Sequence, residues 1–191
     1  GSYDCMSLFR RSHKKIDNEF ILFFGRIQPY KGVDLLIRAM RLVHKKVPSL
    51  NLVIAGKGNV YEKIDISYIT FKNEYVLTED LVNLLDNTLF AVCPYISATQ
   101  SGVISTAFAM NVPVIATNVG GMCESIRHKK TGILIEPNNE ILLANAILEL
   151  YNNKLLRNQI KVNISQELTN GYYSWNNISE LYIKTYKKIV N

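Results

Sequence analysis

Phe20-Ile21-Leu22-Phe23-Phe24-Gly25-Arg26, continued by Ile27-Gln28-Pro29-Tyr30-Lys31-Gly32 and then Val33-Asp34-Leu35-Leu36, is the stretch on which the fold turns. Five consecutive apolar residues, with no polar residue alternating among them, make a strand buried on both faces. The run stops at Gly25. Beyond Gly32, Leu36, Ala39, Met40, Val43 and Val47 recur at helical spacing, and Asp34, Arg38, Arg41 and Lys45 cover the opposite side until Pro48 ends the pattern. A buried strand, a turn bounded by glycines and an amphipathic helix form the opening unit of a parallel sheet.

The unit recurs along the chain. Leu52–Ala55 reads as a second strand, ending at Gly56-Lys57-Gly58, and Ile66–Phe71 as a third. Thr78 is the expected N-cap of a helix through Leu85, with Glu79 and Asp80 in its first turn. Leu89–Cys93 is a fourth strand stopped by Pro94, and Val103–Met110 a helix entered through Ser101-Gly102. Val114–Ala116 is a short buried strand, Gly120-Gly121 opens a helix through Arg127, and Gly132–Ile135 is the last strand. Asn138 is expected to cap a helix through Tyr151, followed by a polar helix over 153–168. Ser174 caps a final helix whose stripe Trp175, Ile178, Tyr182, Tyr186 reads as a packing face. The expected class is α/β: a Rossmann-like parallel sheet with helices on both faces. Its expected extent is residues 18–170, preceded by a scar and linker over 1–17, which opens Gly1-Ser2, and followed by a C-terminal helix over 171–191.

Composition removes several classes. At 191 residues and 21.7 kDa, with 48% hydrophobic and 20% charged residues, the chain is globular. No apolar run reaches membrane-spanning length. Cys5, Cys93 and Cys123 make neither a disulfide framework nor a zinc motif, and His13, His44 and His128 form no metal-binding pair. The net charge of +6 comes from lysines spread along the chain, without the basic stripe of a nucleic-acid binder.

In an open parallel sheet, ligands bind beyond the carboxyl ends of the strands. Four segments should therefore share one edge: Gly25–Gly32, Gly56–Gly58, Pro94–Gly102 and Thr117–Gly121. They bring Arg26, Lys31, Lys57, many glycines and several helix N-termini together, which suits a phosphate-bearing ligand. A dinucleotide fingerprint is not met, because Gly56-Lys57-Gly58 has Tyr61 where a third glycine belongs, and no P-loop or nucleophile-elbow motif occurs. Glu124, in a helix's first turn, reads as a dipole partner, His128 as exposed and Cys93 as core.

The order of these segments resembles the C-terminal half of GT-B glycosyltransferases of the large group-1 family, over residues 20–190. Gly25-Arg26 through Lys31-Gly32 is similar to that family's G-R-x(4)-K-G. Pro113–Gly121 with Glu124 resembles PVIAT-x-VGG-x-x-E, Gly132–Pro137 resembles G-x-L-V-x-P, and Ser174-Trp175 resembles the terminal SW before the last helix. The resemblance implies a retaining enzyme that uses a nucleotide diphosphate sugar as substrate rather than as a cofactor. In that reading Arg26 and Lys31 hold the donor diphosphate and stabilise the departing charge, so no divalent metal is expected. Thr99, Gln100, Ser101, Gly102 and Val103 match the segment that meets phosphate and donor sugar. Asn73, Glu74 and Tyr75 fall where the base is held, and Lys57 joins them as a donor contact.

Three places in the chain, among them Thr88-Leu89 where Ala-Asp is usual before the fourth strand, depart from the pattern of the family. Its paired glutamates align with Ala98 and Thr106, and Thr106 is left as a hydroxyl partner for ribose. The expected partners are a nucleotide-sugar donor and a glycan or lipid-linked acceptor, the latter held by an N-terminal domain to which the last helix would cross. The expected setting is polysaccharide or glycoconjugate synthesis in the cytoplasm, with room for peripheral association at the inner membrane face. A same-fold nucleotide-sugar epimerase, with Glu74 and Glu124 as its only cleft-edge carboxylates, is one alternative. A non-catalytic binding module is another.

Overall fold

The computed structural model of the chain describes residues 19–171 and 174–190. Its strands are β1 (Phe20–Phe24), β2 (Asn51–Ala55), β3 (Ile69–Lys72), β4 (Ala91–Cys93), β5 (Val114–Thr117) and β6 (Gly132–Ile135). They form one six-stranded sheet in the order β3-β2-β1-β4-β5-β6. All neighbours are parallel. The helices are α1 (Val33–His44), α2 (Thr78–Asn87), α3 (Gly102–Ala109), α4 (Met122–Ser125), α5 (Glu140–Asn152), α6 (Lys154–Thr169) and α7 (Trp175–Val190). This is the α/β, Rossmann-like architecture that the buried-strand pattern anticipates.

All five residues of β1 are buried, as a strand covered on both faces requires. Leu36, Ala39, Met40 and Val43 of α1 are fully buried, and α1 packs beside α5. β3 lies at the sheet edge, and of its residues only Ile69 is buried. The strand order reverses between β1 and β4, so a crevice opens beyond their carboxyl ends.

Four local expectations are corrected. Residues 66–68 form a turn rather than the start of β3, because the Asp65 carboxylate accepts from the Ser67 amide at 3.0 Å and the Ser67 hydroxyl at 2.7 Å. Thr78 is the first residue of α2 rather than its cap; extended Leu77 holds the cap position, and its carbonyl accepts from Leu81 N. Asn139, not Asn138, caps α5: its Oδ1 accepts from Ile141 N at 3.0 Å and Leu142 N at 2.9 Å. Asn138 instead adopts φ 58° in the preceding turn. α4 stops at Ser125, where buried Ile126 turns extended, short of Arg127.

Ser174 is a buried cap as anticipated, its hydroxyl accepting from Asn177 N at 3.3 Å. The stripe beyond it is exposed in part, as expected of a helix that would cross to another domain: Ile178 is half-buried, but Tyr182 and Tyr186 are 62% and 64% exposed. The side chain of Trp175, and the linker expected over residues 1–17, lie outside the described residues. No helix among the described residues is long and apolar enough to cross a membrane.

Candidate functional site

Beyond the strand ends, the loops continue the order of the sheet. Gly56 N donates to the Lys72 carbonyl at 3.0 Å, and Gly58 N to Asn73 Oδ1 at 3.0 Å, joining the β3 and β2 loops. Ile27 N donates to the Lys57 carbonyl at 2.9 Å, joining β2 to β1. Ile96 N donates to the Tyr30 carbonyl at 2.6 Å, joining β1 to β4. Gly121 N donates to the Thr99 carbonyl at 3.1 Å, and buried Thr117 donates its hydroxyl to the Tyr95 carbonyl at 2.5 Å, joining β4 to β5. Two glycines make the stacking feasible. A Cβ on Gly32 (φ 68°) would overlap the Pro94 carbonyl oxygen, and one on Gly120 (φ 50°) would overlap that of Ala98.

Two cavities flank the end of β1. The first, of about 540 Å³, is lined by Arg26 and Gln28 from the β1 loop, Lys57 from the β2 loop, and Glu74 and Tyr75 from the β3 loop, with Phe24, Val76 and Leu81 supplying apolar wall. Lys57 Nζ stands 5.1 Å from the centroid of the Tyr75 ring. The second, of about 470 Å³, is lined by Tyr30, Lys31, Tyr95 and residues 97–103, which include Ala98, Thr99, Gln100, Ser101, Gly102 and Val103. They meet at Gly25: a Cβ there would lie 3.6 Å from Lys31 Nζ and 3.4 Å from Val103 Cγ2.

Arg26 and Lys31 thus stand on either side of the β1 terminus, one to each cavity. Asn73 lines neither; its side-chain oxygen is occupied in holding the Gly58 loop. Thr106, half-buried in α3, also lines neither. Exposed Glu124 borders a third hollow on the far side of the 99–102 loop, together with Gly121 and Ser125. Cys93 is fully buried, and burial pushes its thiol up to about 12. Exposed His128 accepts from Leu134 N through Nδ1 at 3.1 Å.

Lys31 is the most constrained of the cations. Its Nζ donates to the Tyr95 hydroxyl at 3.2 Å and lies 5.0 Å from that ring's centroid. Burial holds its pKa below the ordinary lysine value, and the Arg26 guanidinium acts in the same direction. Tyr95 is 2% exposed, and burial raises its phenol above the ordinary range. Tyr95 is the residue that motif reading misses, although it directly follows Pro94 at a strand end and falls under the same rule that selects the other loops.

Ser101 holds the N-cap position of α3, but its hydroxyl points to the Tyr95 hydroxyl at 3.5 Å rather than capping the helix. The first amides of α3 therefore lack a side-chain cap beside the Lys31 cavity. Gly102 differs from Gly32 and Gly120. A Cβ there would meet nothing within 4 Å, so the fold does not require a glycine at that position. What the missing side chain provides is open access to the start of α3. Two cations, uncapped helix amides and an adjoining apolar hollow can together accept a phosphorylated organic ligand.

Comparison with known proteins agrees with the architecture. The family model for glycosyl transferases group 1 matches residues 18–153. An uncharacterized glycosyltransferase of Methanocaldococcus jannaschii is 31% identical over 188 residues, covering 94% of this chain and 47% of that protein. The capsular polysaccharide biosynthesis glycosyltransferase CapM of Staphylococcus aureus is 27% identical, with 94% of this chain and 50% of CapM covered. The chain spans about half the length of these curated relatives. The C-terminal domain of a glycosyl transferase group 1 family protein (LpcC) from Francisella tularensis superposes with a TM-score of 0.70 at 24% identity, over 81% of this chain and 86% of that one.

Proposed function

The chain belongs to the group 1 glycosyl transferases, and from that premise we propose that it is the donor-binding half of a retaining glycosyltransferase, taking a nucleotide diphosphate sugar. One observation carries the reading: the Arg26 and Lys31 cavities meet at Gly25, directly beyond the central strand and beside the uncapped start of α3. A diphosphate laid across that junction faces both cations. The nucleoside extends into the Arg26 cavity and the hexosyl group into the cavity lined by residues 97–103.

As the anomeric C–O bond breaks, the departing diphosphate takes the electron pair. Fixed cations at its oxygens lower the energy of that state, and Lys31, held against Tyr95, needs little reorganisation to do so. The acceptor hydroxyl comes from outside this domain, on the half of the full-length protein that corresponds to the rest of its relatives. By analogy with CapM, the product is a polysaccharide or glycoconjugate.

Ala98 and Thr106 at the positions of the family's glutamates favour a second reading, a module that binds the donor without transferring it. A donor panel given to the full-length protein separates transfer from binding alone. The primary test is calorimetric titration of this chain with nucleoside diphosphates. Arg26→Ala should weaken binding by about 1.5–3 kcal/mol, the range for hydrogen bonds to charged groups. Unchanged affinity in the folded variant would sink the assignment.

A further inference from the structure

We propose that the Arg26 cavity selects guanine, through the Glu74 carboxylate, so that the donor is a GDP-linked sugar rather than a UDP- or ADP-linked one. This rests on the reading that the cavity takes the nucleoside end of the donor.

Three charged side chains line the cavity: Arg26, Lys57 and Glu74. Arg26 adjoins the diphosphate position, and Lys57 lies over the Tyr75 ring at the cavity wall. No hydrogen bond or ion pair joins the Glu74 carboxylate to any other described residue, so its acceptor capacity is available to a ligand. An ionised carboxylate can only accept, and that restriction discriminates among bases. Guanine presents N1–H and N2–H2 side by side, two donors spaced for the two oxygens of one carboxylate. Uracil presents a single N–H between two carbonyl oxygens, and both carbonyls repel a carboxylate. Adenine presents one amino group next to the N1 lone pair, so it supplies one bond and one repulsion. Gln28, whose amide can both donate and accept, does not by itself discriminate among the bases, so the acceptor-only Glu74 is the group that rewards guanine and penalises the other two. The apolar wall of Phe24, Val76 and Leu81 gives the ring a face to rest on, without reading its edge.

The test uses the chain as it stands, titrated calorimetrically with GDP, IDP, UDP and ADP. IDP lacks the 2-amino group and isolates its contribution. GDP should bind on the order of tenfold more tightly than UDP and ADP, with IDP between, as expected for one charged hydrogen bond gained. Glu74→Gln should lower GDP affinity by about the same factor and leave UDP affinity in place; Glu74 is exposed on a loop, and circular dichroism checks that the variant folds. UDP or ADP binding as tightly as GDP overturns the proposal. An equal loss for all nucleotides in Glu74→Gln also overturns it, because the carboxylate would then be serving the ribose they share. If no nucleoside diphosphate binds, the donor-site reading falls, and the base assignment falls with it.

Discussion

Lys31 and Gly102 make opposite kinds of contribution to the same cavity. The ammonium of Lys31 is kept beneath the usual lysine range by burial, so it gives up its proton at a lower pH than an exposed lysine. Anion binding needs the charged form. Affinity for a nucleoside diphosphate should be complete below that lowered pKa and fall as the pH rises through it, with Lys31→Arg flattening the decline. Calorimetry across alkaline pH measures both profiles, and a wild-type profile as flat as that of Lys31→Arg would remove Lys31 from the site. Gly102 contributes by being small. Gly102→Ala meets no steric obstacle, so chemical denaturation should show stability unchanged or raised, by up to about 1 kcal/mol. On the proposed reading the same variant should bind nucleotide more weakly, since the methyl group would project toward a ligand at the start of α3. Unaltered affinity would mean that the ligand does not reach that helix.

The loop stack behaves as one unit, and Gly120 is its tightest joint. Gly120→Ala should lose about 1–2 kcal/mol from the left-handed backbone alone, plus the cost of moving the 97–103 loop off the Ala98 carbonyl, read as a lower denaturation midpoint together with weaker binding. Much of this arrangement is legible in sequence because it follows from strand ends. β1 and β6 fall where their apolar runs place them, and the loops after β1, β2, β4 and β5 converge as expected, joined by the loop after β3. The errors arise where short polar side chains compete with the backbone pattern. Asp65 folds the Ile66–Tyr68 segment into a turn through Ser67, and two adjacent asparagines offer equal caps until one takes the left-handed conformation. The division of Arg26 and Lys31 between two cavities is not legible. It depends on Tyr95 and the β4 loop, brought against Lys31 by pairing of strands far apart in sequence.

On the proposed reading, this chain by itself should bind donor and not turn over. Residues 1–191 are expected to retain nucleotide binding while showing no sugar transfer with a donor panel, because transfer needs an acceptor hydroxyl held in line with the anomeric carbon. Turnover comparable to that of the full-length protein would overturn the two-domain reading. The exposed Tyr182, Ile183, Tyr186 and Ile189 of α7 fit a helix whose outer face is completed elsewhere. The centre of the sheet has a further implication. β1 is paired on both sides and buried along its whole length, so its amides can reach solvent only when the entire domain opens. Hydrogen–deuterium exchange at Ile21–Phe24 therefore reads global stability, and a ligand at one hundred times its Kd adds about 2.7 kcal/mol to it, roughly a hundredfold slower exchange. The strand that carries the site on its end is thus an unlabelled gauge of occupancy, able to rank nucleotides without an assay of transfer.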